Sequence, residues 1–160
     1  MKLHTLFSLC LSLSALVYQS AAYPAPEGEE QAVGAAVDRF YAALNTLFSG
    51  DAGPMIEVWS HADDVTYMGP TGGLYVGWEA VLEDWQAQAD LKLGGQVLPS
   101  DMVIVIGRDL AVTSNNELGV NTNADGEVQR VSIRATNIFR KEGGDWKMIG
   151  HHTDLLSYLQ

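Results

Sequence analysis

Between residues 96 and 153, four runs rich in β-branched side chains, 96–106, 110–120, 127–140 and 146–153, follow one another with only short breaks between them. The breaks contain Gly107-Arg108-Asp109, Asn123-Ala124-Asp125-Gly126 and Gly143-Gly144-Asp145, the residue types that let a chain reverse within a few positions. Connections this short leave no room for crossover helices, so the four runs are predicted to form an antiparallel meander.

The segment before them has a different period. Val33, Ala36, Val37, Phe40, Tyr41, Leu44, Leu47 and Phe48 recur at three-and-four spacing, one face of an amphipathic helix, and Gly50 supplies its stop. Pro54 suits the first turn of a short second helix through Met55, Val58 and Trp59. A third stripe, Trp78, Val81, Leu82, Trp85 and Ala89, predicts a helix over 78–89 with Gly77 just before it. Between the second and third helices, 65–68 and 74–76 read as short strands around the turn Gly69-Pro70-Thr71-Gly72-Gly73. Helices first and a sheet after them make the fold class α+β.

Residues 1–22 stand apart from this pattern. Lys2, an apolar run from Leu6 to Val17 and the small residues Ser20-Ala21-Ala22 read as a secretory signal peptide cleaved after Ala22. The run is shorter than the roughly 20 residues that span a bilayer, and no second one follows. The mature protein is therefore expected to be secreted or periplasmic, with no membrane partner. Residues 23–30, with Pro24, Pro26 and Gly28 among acidic residues, read as a flexible leader to a single domain over 31–160. Cys10, the one cysteine, lies in the expected signal, which excludes thiol and disulfide chemistry from the domain. Twenty Asp and Glu against nine Lys and Arg give a net charge of −11, which repels phosphate backbones and excludes nucleic acid as an expected partner. The glycine-rich turn lacks the Gly-Lys-Ser/Thr ending of a phosphate loop, and there is no Gly-x-Ser-x-Gly elbow.

Particular residues add a resemblance to this order of elements. Ala62-Asp63-Asp64-Val65-Thr66, then Gly69-Pro70, then Gly77 opening the third helix, resembles the SnoaL-like branch of the nuclear transport factor two superfamily. The stretch over 132–154, SIRATNIFRKEGGDWKMIGHHTD, is similar to the last two strands of that branch and of the calmodulin-dependent kinase association domain. The resemblance implies a cone-shaped roll, three helices packed in a curved, mostly antiparallel sheet of about six strands around a deep pocket, with no cofactor and frequent homodimerisation. It does not imply one activity, because ketosteroid isomerase, scytalone dehydratase, polyketide cyclases and epoxide hydrolases share the fold with non-catalytic transport and assembly domains. Aligned with ketosteroid isomerase, Phe40 replaces the oxyanion tyrosine, Gly69 the general-base aspartate and Thr136 the second oxyanion acid. Steroid isomerisation by that mechanism is thereby excluded.

The same alignment turns Leu44, His61, Tyr67, Trp85, Asn116, Arg134, Thr136 and His151 toward the pocket, and Phe40 and Trp59 add to an aromatic lining suited to a small, largely apolar organic ligand. Two readings of the third long strand conflict. Alternation alone buries Val131, Ile133, Ala135, Asn137 and Phe139, whereas the resemblance turns Arg130, Ser132, Arg134, Thr136, Ile138 and Arg140 to the cavity and the apolar set to a partner subunit. On the second reading Arg134 anchors a carboxylate or enolate ligand. His151 is the candidate general acid or base, because imidazole titrates near neutral pH. Its neighbour His152 faces the other side of the strand, sharing it with Asp154, so the two histidines cannot chelate one metal. His61 and Asp64 offer no firm third ligand, and no metal site is expected. The resulting expectation is an exported pocket protein, either a cofactor-independent lyase, isomerase or cyclase or a non-catalytic binding or assembly domain.

Overall fold

The computed structural model describes residues 28–123 and 125–154. The signal-peptide assignment, 1–22, and most of the leader lie outside these residues. Helix α1 (Glu29–Leu47) already includes the last two residues assigned to the leader. Glu29 and Glu30 suit a first turn, where carboxylates meet the positive end of the helix dipole. The Glu29 carboxylate also accepts hydrogen bonds from Lys141 Nζ and Trp146 Nε1, docking the start of the helix on the sheet.

Helix α2 (Gly53–Val58) follows, then β1 (Thr66–Met68), β2 (Tyr75–Val76), α3 (Trp78–Asp90) and the four long strands β3 (Gln96–Ile106), β4 (Leu110–Thr122), β5 (Val128–Glu142) and β6 (Asp145–Asp154). The long strands form the antiparallel meander that their turns dictate. Strand β1 pairs antiparallel with β2 and parallel with β6, giving one mixed six-stranded sheet in the order β2-β1-β6-β5-β4-β3.

Two register breaks bend this sheet. One lies in β3 between Ser100 and Val103, where Asp101 takes the left-handed conformation at φ 53°. The other lies at Ile138/Phe139 in β5. An extra residue in one strand locally increases twist, and the sheet curls with its concave face toward the helices. Asn45 of α1 then clips the far edge: its Nδ2 donates to Val97 O at 2.9 Å and its Oδ1 accepts from Val97 N at 2.8 Å. Phe40, Leu47, Met55, Trp59, Trp85, Phe139 and Met148 fill the space between helices and sheet.

From Arg134 to Phe139 alternation decides the faces of β5, while at its start Arg130 and Ser132 border the cavity described below. Ala135, Asn137 and Phe139 are buried on the helix side, and Arg130, Ser132 and Arg134 are exposed. Ala135 and Phe139 are therefore core, and Val131 and Ile133 border the cavity on the same side. The core already had the aliphatic and aromatic surface of α1 to bury them against, which outweighs any arrangement that would desolvate three arginines.

Candidate functional site

Near one end of the helices the core does not close. A cavity of about 710 Å³ lies among Leu44 of α1, Tyr67 of β1, Trp85 of α3, Val97 of β3, Ile133 of β5 and His151 of β6. Thr71 from the glycine-rich turn, Gln88 and Arg130 also reach it. Arg130 is the one cationic side chain among the described residues that line it.

His151 stands between aromatic rings. Its ring centroid is 4.8 Å from Phe40 and 5.7 Å from Tyr67, the latter nearly parallel at 9°. The phenol of Tyr67 accepts a hydrogen bond from Gln88 Nε2 at 2.9 Å and lies against Gly69, where a Cβ would come within 2.3 Å of the phenol oxygen. No side chain fits at Gly69 unless Tyr67 moves.

Behind His151 lies a buried polar network that the sequence analysis did not single out as a site. His151 Nδ1 is 2.6 Å from Asn137 Oδ1. Asn137 Nδ2 donates to Thr113 Oγ1 at 3.0 Å and Asn115 Oδ1 at 3.3 Å. Asn115 Nδ2 donates to Tyr41 Oη at 2.8 Å, and Tyr41 donates to Glu117 Oε1 at 3.0 Å. Glu117 Oε1 is in turn 3.8 Å from His151 Nε2. Ile133, the ladder partner of Glu117, lines the cavity, so the network underlies its floor.

Burial dominates the electrostatics here. It pushes the Glu117 carboxyl up to about 7, against the pull of the Tyr41 hydrogen bond, because a carboxylate loses its hydration in this interior. The Tyr41 phenol is raised above the ordinary tyrosine range by burial and then by the Glu117 charge. The His151 imidazole is pushed down to about 3 by burial, with His152 adding a smaller repulsion. At neutral pH His151 is uncharged.

The remaining predicted site residues lie elsewhere. Arg134 is on the convex face of the sheet, with Nε donating to Asp154 Oδ1 at 3.1 Å and Nη2 also bonded to that carboxylate. With it in a shallow groove are Asn116, Thr136, His152 and Asp154. The strand alternation that sends Asn137 and His151 inward sends all five of these outward. Asn116 Nδ2 donates to Asp101 Oδ2 at 3.1 Å. His61 is exposed, stacked on Trp78 at 4.6 Å, with Nε2 donating to Ile56 O at 2.8 Å, so it neither reaches Tyr67 nor lines the cavity. Asp64 accepts two hydrogen bonds from Arg140, at 2.7 and 3.1 Å, and ties the approach to β1 to β5. Trp59 is core, beside Trp85 with centroids 6.1 Å apart. Among the described residues no three His, Cys, Asp or Glu side chains are grouped to hold a metal ion.

Residues 33–156 match the SnoaL-like domain family. The chain belongs to that family. Solved structures agree on the fold: this SnoaL-like chain superposes with TM-score 0.73 on a candidate dehydratase of the nuclear transport factor two-like family from Streptomyces avermitilis, at 22% identity over 82% of this chain and 99% of that one. A ketosteroid isomerase-like protein from Erwinia carotovora atroseptica gives 0.68 at 22% identity, covering 81% and 98%. A calcium/calmodulin-dependent kinase association domain candidate from Thiobacillus denitrificans gives 0.57 at 24%, covering 86% and 99%. No protein of curated function matches the sequence.

The raised Glu117 value fixes a sign for stability. Between its ordinary 4.5 and its folded value near 7, the folded SnoaL-like domain holds a proton that the unfolded chain lacks. This contribution is fully present below pH 4.5 and lost as pH rises through 7, at a cost of about 3 kcal/mol. Glu117→Gln is therefore expected to be more stable than the wild type by about 3 kcal/mol at pH 8 and equal to it at pH 4. Urea unfolding at the two pH values checks this, and an equal gain at both, or none at pH 8, contradicts it.

Proposed function

We propose that the cavity binds a small, largely apolar organic molecule and that His151 exchanges a proton with it, chemistry suited to a cofactor-independent lyase, isomerase or cyclase. The observation that carries this reading is a hollow of about 710 Å³ with apolar and aromatic walls and one imidazole at its side. A ligand carboxylate has Arg130 at the cavity for a partner, the role first expected of Arg134. Two structural neighbours, the candidate dehydratase and the ketosteroid isomerase-like protein, carry names from this class of reaction.

A non-catalytic binding domain is the second reading. It is favoured by the direction of the His151 nitrogens, one at Asn137 and the other toward Glu117, both protein groups. Titrating tryptophan fluorescence with small carboxylic acids, steroids and polyketide-like aromatics separates the possibilities. At least one class is expected to bind, and Leu44→Trp, which fills the hollow, to weaken it at least about tenfold. Unchanged affinity in Leu44→Trp would place the ligand elsewhere. Turnover that survives His151→Ala would remove His151 from the chemistry, and binding without any turnover selects the second reading.

We also propose that the protein is exported and pairs with a second copy through the convex face of its sheet. Leu98, Leu118 and Val120 at one end of β3 and β4, and Val103 and Val105 toward the other, are exposed apolar side chains on that face, separated by the polar Asp101 and Asn116. Protein recovered after export is expected to begin at Tyr23 by N-terminal sequencing and to sediment as a dimer at micromolar concentration. An intact Met1 overturns export, and a monomer overturns the dimer.

A further inference from the structure

The hydrogen bonds beneath the cavity run in one direction. Asn137 is fixed end to end: because its Nδ2 donates to Thr113 and Asn115, its Oδ1 can only accept, and His151 must carry its hydrogen on Nδ1. His151 Nε2 is then a bare lone pair. From Asn115 the direction passes through Tyr41, which donates to Glu117 Oε1. The sequence of bonds thus returns to its start, where Glu117 Oε1 and His151 Nε2, both acceptors, face each other across 3.8 Å. Two lone pairs so close in a dry interior repel, whereas a single proton turns them into donor and acceptor and completes a ring of five side chains.

We infer that Glu117 and His151 form a one-proton dyad, with Glu117 the positioning residue that holds the proton His151 exchanges at the cavity. The exchange with a ligand rests on the function proposed above; the sharing of the proton does not.

The charge balance agrees with the geometry. With the carboxyl pushed up to about 7 and the imidazole down to about 3, the pair holds one proton, on Glu117, between those limits. Below pH 7 the dyad has one proton to give and does not readily take a second. Above it, the dyad has none to give and takes one. The other titratable groups nearby are Tyr41 from α1, Tyr67 from β1 with Asp84 of α3 beyond it, and His152 on β6. Strand β5 contributes the neutral Asn137 beside the ring and Arg130 at the cavity, and among the described residues no lysine or arginine lies within ion-pair distance of Glu117.

NMR of the ligand-free protein labelled at histidine nitrogens and glutamate carboxyls, taken from pH 4 to pH 9, tests the dyad. The expected result is the Nδ1–H tautomer of His151 throughout and one transition near pH 7, at which the Glu117 carboxyl carbon and His151 Nε2 shift together. Glu117→Gln can donate to Nε2 while accepting from Tyr41, and is expected to remove the transition from the ring and keep its tautomer. An Nε2–H tautomer, a ring that gains its proton near the ordinary 6.5, or a Glu117 carboxyl that titrates near 4.5 without moving the ring would each overturn the proposal. The wild-type measurement stands whether or not the variant folds. Since no ligand takes part, a cavity that binds nothing leaves these signals in place, so failure of the dyad and failure of the proposed function are told apart.

Discussion

A carboxyl group buried between a helix and a sheet, held by one tyrosine hydroxyl, is the constraint around which this domain is organised. Placing Glu117 there costs hydration that a single hydrogen bond from Tyr41 does not replace. The cost is contained by protonation and by a relay of amides. Asn115 supports Tyr41, Asn137 supports Asn115, and His151 ends the relay at the cavity wall. Its members come from four elements, Asn115 and Glu117 both from β4, so the relay exists only when α1, β4, β5 and β6 are in register. A slip of one residue in β4 would send Asn115 and Glu117 to the convex face and bring Asn116 and Leu118 in.

The fold was readable because its signals are periodic. The stripe through Val33, Phe40 and Leu47, the stripe through Trp78 and Trp85, and the three glycine-bearing turns between long runs determine helices, strands and meander with no tertiary information. Strand ends differ by a residue or two, as expected where the last ladder bonds fray. The parallel pairing of β1 with β6 depends on how the sheet curls, which no local pattern encodes.

The site was legible only in part. Leu44, Tyr67, Trp85 and His151 line the cavity. Arg134, Asn116 and Thr136 do not, because alignment to a superfamily carries an uncertainty of one strand position and one position exchanges the faces. Alternation within β5 already pointed the right way. In β4 it misleads: the inward phase is Ala111, Thr113, Asn115 and Glu117, and the outward phase includes Leu110, Val112, Leu118 and Val120, so hydropathy would bury the wrong face. The available clues were Asn137, a polar residue in the apolar phase of β5, and Tyr41, whose hydroxyl in the apolar stripe of α1 needs a buried partner. Followed through, they lead to Asn115 and Glu117.

The family fixes the scaffold and leaves the chemistry to the residues around the hollow. Here those residues pair an apolar wall with a floor whose polar groups are almost all mutually satisfied, an arrangement that leaves one proton in play. A crystal structure of residues 23–160 under xenon pressure tests this account most directly, since an apolar hollow takes up the gas. The account predicts xenon among Leu44, Trp85 and Ile133, with Glu117 beneath them and bonded to Tyr41. A filled interior that takes up no xenon, with the Glu117 carboxylate turned to solvent, would contradict it.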